Sequence, residues 1–102
     1  MSMRFANEFG ACEVTTLPGC PQVAVSHSVF VRPEHRGKGH GSGNHLARLK
    51  RYKELHYDCV ICTVAATNVR EQAILKKNGW KCLSEFHSTN TGHGVQIWSI
   101  NL

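Results

Sequence analysis

The stretch from Val29 to Gly43, VFVRPEHRGKGHGSG, decides how the rest of the chain is read. It begins in a strand: Val23, Val25, His27, Val29 and Val31 alternate with Ala24, Ser26, Ser28 and Phe30, the period of two of an extended segment. Arg32-Pro33 closes that strand, because proline brings no amide to a ladder. The chain then passes through glycines at 37, 39, 41 and 43 and enters a helix-forming segment, Asn44 to His56, whose apolar side is Leu46, Ala47, Leu49, Tyr52 and Leu55. Glycines at such a joint let the backbone turn sharply and its N–H groups converge on an anion. The helix start adds partial positive charge, and Arg36 and Lys38 add full charges. Strand, glycine loop and helix in this order predict a phosphate-binding loop rather than a flexible linker.

Three glycine motifs compete for that loop. A nucleotide-binding P-loop ends in Gly-Lys-Ser/Thr, whereas this segment ends Gly41-Ser42-Gly43. A dinucleotide fingerprint is spaced G-x-G-x-x-G with an acidic residue about twenty positions on, and neither feature is clear here. The segment fits R-x-x-G-x-G, as Arg36, Gly39 and Gly41.

Charge follows the loop outward. Seven Lys/Arg lie between Arg32 and Lys53 against a single acid, Glu34, in a chain of net charge +5. So concentrated a cluster predicts an anionic partner. A nucleic-acid face on Arg48, Lys50, Arg51 and Lys53 is the lesser alternative to a solvated helix face. The chain has 102 residues, 41% hydrophobic and 19% charged. That is one domain, with neither a disordered nor a membrane composition. No apolar run reaches the roughly 18 residues of a spanning helix, and the start lacks the pattern of a secretory signal. Five cysteines, an odd number, predict reduced thiols and a cytoplasmic location.

The remaining elements fall into place around the loop. Residues 3 to 16 read as weak strand material and Pro18-Gly19 as a turn. Cys59 to Ala66 is nearly all apolar, which predicts a central strand covered on both faces. Strand, helix and strand make a βαβ crossover with parallel strands. Asn68 caps a second helix over Val69 to Asn78, which Gly79 stops in the left-handed conformation. Lys81 to His87 and Val95 to Ile100 predict an antiparallel pair turning at Ser88 to Gly92. The fold class is α/β, a mixed sheet with helices packed on it.

With Arg36-x-x-Gly39-x-Gly41 followed by Asn68, Leu75, Gly79 and Trp80 in the pattern N-x6-L-x3-G-aromatic, residues 22 to 100 resemble the GNAT superfamily of acyl-CoA-dependent N-acetyltransferases. The resemblance implies a GNAT-like twisted mixed sheet over a single domain, 1–102. Its parts are a short strand region 1–20, an acetyl-CoA-binding core 22–80 and a β-hairpin 81–102. It implies that the pyrophosphate of acetyl-CoA rests on Arg36, Gly37, Lys38, Gly39, His40, Gly41 and Ser42. The pantetheine arm would run along Val29, Phe30 and Val31, with Asn68 touching it. The expected partners are acetyl-CoA and an amine acceptor, either a small amine or a protein lysine or N-terminus, with a homodimer as one way to complete the acceptor pocket. No metal is expected.

Acetyl transfer to an amine requires removal of a proton from a group with a pKa of roughly 10 and stabilisation of charge on the thioester oxygen. The departing thiolate must also be accommodated. The resemblance gives the second task to backbone N–H groups near Val29 to Val31. For the first, His27 interrupts the column of valines, and imidazole has the right chemistry for a general base. In the arylalkylamine branch of the family, histidines on this strand are linked to proton removal, and His27 matches the place of one of them. A buried, hydrogen-bonded structural histidine is the alternative.

Two departures stand out. Leu75 occupies the place of the tyrosine that many members use as the acid, which leaves that role to water. Only about twenty residues precede the main strand, against a strand and two helices in the family, so a short or open acceptor side is expected. Cys59-x-x-Cys62 is read as two structural thiols on opposite strand faces, not a metal or redox motif. His35, His40 and His45 are assigned to phosphate contacts or solvent, and Trp80 and Trp98 to the core or a pocket wall.

Overall fold

A computed structural model of the chain describes residues 2–7, 10–31 and 40–102, with side chains described over 12–27 and 47–102. The elements run β1 (Ser2–Asn7), β2 (Gly10–Leu17), β3 (Cys20–Val31), α1 (His40–Glu54), β4 (Cys59–Ala65), α2 (Val69–Lys77), β5 (Lys81–His87) and β6 (Gly94–Asn101). The strands form one sheet in the order β1-β2-β3-β4-β6-β5. Only β3 and β4 pair in parallel; every other neighbour is antiparallel. The expected mixed sheet with a central βαβ crossover is therefore present.

The N-terminal stretch, expected as weak strand material with one or two strands left open, has the larger number. It is two strands, β1 and β2, paired antiparallel from Ser2↔Thr15 to Asn7↔Gly10. Between β2 and β3, Pro18-Gly19 makes the predicted turn, with Gly19 at φ 79°, a conformation that favours glycine. The helix α1 starts at His40, not at Asn44. Gly41 and Gly43 each weaken a helix by about 1 kcal/mol relative to alanine, which moved the expected start downstream; docking of the helix on the sheet outweighs that preference. Its apolar side is also narrower than expected. Tyr52 is buried and Leu49 and Leu55 pack against the core, but Ala47 is exposed.

Register shows which face the helices cover. The rungs Val14↔Ser26, Ala24↔Val60 and Cys62↔Trp98 link strand residues on one side of the sheet. Val14, Ala24, Val60, Val64 and Trp98 share a single buried cluster with Tyr52 of α1 and Leu75 of α2. Both helices thus lie on the same face, as two crossovers of one hand advancing in one direction across a sheet require. The other face carries Glu13, Thr15, Val23, Val25, His27, Cys59 and Ile61, all half-buried, and the exposed Thr63. Both described helices lie on the opposite face, so among the described residues β4 is covered by helices on one face only. Its continuous apolar sequence reads as doubly covered because residues such as Cys59 and Ile61 are apolar on the bare side as well.

The helix α2 is fixed at both ends. Asn68 accepts a hydrogen bond from the Glu71 N–H at 3.2 Å, satisfying one orphan donor of the first turn. At the other end the Trp80 N–H donates to the Leu75 carbonyl and the Gly79 N–H to the Lys76 carbonyl. This is the paired arrangement of a Schellman stop. Gly79 sits at φ 89°, and a Cβ there would meet nothing within 4 Å, so the glycine is required by its backbone angle and not by crowding.

Candidate active site

The parallel seam between β3 and β4 is short. It holds Val23↔Cys59, Ala24↔Val60 and Val25↔Ile61 and no further rung. Yet β3 stays paired with β2 as far as Val31↔Gly10, and β4 stays paired with β6 as far as Ala65↔Val95. Each strand keeps its outer partner while the two part from one another. The sheet is thus open along its middle beyond Val25 and Ile61.

A bulge lies at the parting. The β2–β3 register steps from Glu13↔His27 to Ala11↔Phe30, so Cys12 alone faces both Ser28 and Val29. One extra residue bends and twists the strand that carries it, and it leaves ladder groups unpaired. The period of two expected to run unbroken from Val23 to Val31 is interrupted here. The sequence does not mark the bulge, because Ser28 and Val29 are ordinary strand residues.

The predicted site residues distribute around this opening. His27 is the second residue beyond the last rung, on the face away from the helices. Val29 lies in the bulge, and Phe30 and Val31 form the end of β3 past it. Arg36, Gly37, Lys38 and Gly39 lie outside the described residues. His40, Gly41 and Ser42 begin α1, whose first turn carries no acidic residue to offset its positive end. Asn68 serves as the cap of α2, the structural half of the two roles expected of it. In chain order α1 follows the end of β3 that lies beyond the seam.

His27 is held by two neighbours from β2. Its Nε2 lies 2.9 Å from the Thr15 hydroxyl, and its Nδ1 lies 3.6 Å from a Glu13 carboxylate oxygen. The imidazole side chain is 39% exposed, which leaves the ring reachable. The chemistry-bearing neighbours Glu13 and Thr15 were not singled out in the sequence; an alternating pattern on β2 cannot reveal which residue of β3 it faces.

On the helix side of the same opening a second polar group is packed. The Cys12 thiol lies 3.2 Å from the Ser26 hydroxyl and 3.6 Å from the Tyr52 hydroxyl. Burial raises the Tyr52 phenol well above its usual range, against a hydrogen bond from Ser26 that lowers it. Nearby, burial pushes the Cys62 thiol up to about 12, with the charge of Glu71 adding and Arg48 opposing. Glu71 is itself raised by burial, and Arg48 again opposes. Leu75 is 1% exposed and contributes packing only, in keeping with the absence of an acid at that place. Cys59 and Cys62 lie on opposite faces as expected, and all five cysteines are free. Among the described residues no group of three or more His, Cys, Asp or Glu could hold a metal ion. Trp80 and Trp98 belong to the core.

The family profile described as acetyltransferase (GNAT) family matches residues 8–80, and the chain belongs to that family. Solved structures share the fold. The IAA acetyltransferase from Bacillus cereus ATCC 14579 aligns with a TM-score of 0.83 at 14% identity, over 96% of this chain and 73% of that one. A Bacillus subtilis acetyltransferase in complex with CoA gives the same figures, a TM-score of 0.83 and 14% identity over 96% and 73%. A variant of the spermidine N-acetyltransferase SpeG from Vibrio cholerae gives 0.85 at 18% identity, over 98% and 65%. No curated protein matches the chain by sequence. Family membership makes acetyl-CoA the expected co-substrate, and the open seam, with a helix start following it in chain order, suits an extended chain that terminates in phosphates.

Proposed function

We propose that this protein transfers the acetyl group of acetyl-CoA to an amine acceptor. The observation that carries the reading is the parting of β3 from β4 beyond Val25↔Ile61, at a bulge and ahead of α1 in chain order. The pantetheine arm adds to the exposed edge of β3 at Val29, Phe30 and Val31, as an extended segment adds to any free strand edge. The pyrophosphate lies against the backbone of Gly37, Gly39, Gly41 and Ser42, with His40, Arg36 and Lys38 beside it. Asn68 keeps its cap and touches the arm. The 1–102 chain acts as one acetyl-CoA-binding domain.

His27 acts as the general base. It is reachable from the bare face and stands at the mouth of the seam, where the thioester carbon comes to rest. The amine approaches from that face and gives its proton to the imidazole. Its freed electron pair forms the bond to the acetyl carbon; the carbon–sulfur bond breaks with its pair going to sulfur, and the second proton of the nitrogen passes through water to that sulfur. Backbone N–H groups released by the bulge are suited to steady the oxygen meanwhile. Five free thiols accord with a reducing, cytoplasmic setting. No described helix is long and apolar enough to cross a membrane.

The test is calorimetric titration with acetyl-CoA and with CoA, alongside a Gly39→Glu variant and a thiol-release assay on a lysine peptide and a small diamine. Saturable binding lost in Gly39→Glu is expected, with turnover falling roughly 10²- to 10⁴-fold in His27→Ala at unchanged binding. A protein that ignores both ligands overturns the reading. One that binds but transfers to no amine is an acyl-CoA-binding module. Salt-sensitive binding to nucleic acid with indifference to CoA would assign the basic cluster instead.

A further inference from the structure

The contacts made by His27 go beyond its role as a base. Glu13 and His27 are directly opposed on the β2–β3 ladder, and Thr15 is one step diagonal, opposite Val25. Such neighbours on one face are within side-chain reach. Here they meet the two ring nitrogens separately: Glu13 Oε2 at Nδ1, 3.6 Å, and Thr15 Oγ1 at Nε2, 2.9 Å. The rung then gives way to the bulge at Ser28 and Val29, so the ring is clamped at the last regular β2–β3 step before the bulge.

The two contacts are chemically unequal. A carboxylate can only accept, so at 3.6 Å from Nδ1 Glu13 favours a proton on that nitrogen. A hydroxyl can donate or accept by turning. We propose that Glu13 and Thr15 are positioning residues: Glu13 holds His27 in the Nδ1–H tautomer and compensates the imidazolium charge, and Thr15 steadies Nε2 through both protonation states. This rests on the reading of His27 as base.

Before reaction the Thr15 hydroxyl donates to the Nε2 lone pair. Because Nε2 has a single lone pair, the hydroxyl turns its proton away as the amine enters; the acceptor's N–H bond then breaks, its proton forms the new Nε2–H bond, and the Thr15 oxygen accepts from it. Nδ1–H stays in place throughout, and the positive charge formed on the ring faces Glu13. On the other side of Glu13 the register places Arg4 of β1 at the same rung. No other charged residue of β2 or β4 shares the described part of this face; farther across it the register places Cys59 of β4 and Lys81 of β5.

The experiment is ¹⁵N NMR of imidazole-labelled protein, with His27 assigned by its loss in His27→Gln. The wild-type ring is expected to show a protonated Nδ1 and an unprotonated Nε2 at alkaline pH. In Glu13→Gln the pattern should move toward the opposite tautomer, while Thr15→Val should leave Nδ1–H in place and shift Nε2. With the lysine peptide or the diamine, kcat in Glu13→Gln should fall roughly 10- to 100-fold at an unchanged KM for acetyl-CoA. A wild-type ring protonated on Nε2, or a Glu13→Gln protein with the wild-type ¹⁵N pattern and kcat, overturns the proposal. The wild-type spectrum decides even if a variant does not fold. The failures separate: full activity in His27→Gln removes the base itself. Loss in His27→Gln with none in Glu13→Gln removes only the positioning.

Discussion

The two faces of the sheet are built from the same strands and do opposite things. On the helix face, Cys12, Val14, Ala24, Ser26 and Val60 are at most 7% exposed, locked under α1 and α2. On the other face their immediate sequence neighbours Glu13, Thr15, Val25, His27 and Ile61 are only half-buried. Adjacent residues of a strand point to opposite sides, so a single step along β2 or β3 separates a group that holds the fold from one that can meet a substrate. A slip of one residue in register would exchange the two sets. The bulge, which introduces such a step, lies where the seam opens and not in the closed part.

That contrast can be broken by experiment. The widest difference is in thiol chemistry. With its pKa about 12, Cys62 of the helix face is a thiolate to only about one part in 10⁴ near pH 8. Cys82 is exposed on the edge strand β5. Mass-spectrometric mapping of iodoacetamide labelling should find Cys82 modified orders of magnitude faster, with Cys62 labelled only on unfolding. Rapid labelling of Cys62 in the native protein would show that the helices do not seal their face.

Packing gives the next difference. Leu75, 1% exposed, should lose about 2–5 kcal/mol of stability on truncation to alanine, a large part of the roughly 5–15 kcal/mol a domain has. Val25→Ala, on the bare face, should lose less than about 1 kcal/mol. Urea melts of the two variants measure this; equal losses would mean that the bare face is covered in solution, as a homodimer would cover it.

The smallest effect separates structure from binding at Asn68. Replacing it by alanine removes the cap on the Glu71 N–H and should cost about 1 kcal/mol, while aspartate should restore stability. If Asn68 also touches the pantetheine arm, Asn68→Asp will melt like the wild type and yet bind acetyl-CoA more weakly. Equal stability with equal affinity would confine Asn68 to capping.

Much of this was present in the order of residues. Turns at Pro18-Gly19 and Gly79, the cap at Asn68, the parallel pairing of β3 with β4 and the antiparallel pair β5–β6 all rest on local chemistry or on connection length, and local chemistry is written in consecutive residues. The glycine-rich run and the N-x6-L-x3-G-Trp pattern were likewise enough to indicate the family. His27 stood out because a polar ring among valines breaks a pattern visible in one dimension.

The tertiary structure alone decided what depends on pairing between distant segments. It set β6 between β4 and β5, put both helices on one face, and ended the β3–β4 seam after three rungs. It also brought Glu13 and Thr15 to the two nitrogens of His27, fourteen and twelve residues away in sequence. Alternation says that a strand has two faces. Only the register, fixed when the faces are buried or left bare, says which residue meets which across the ladder.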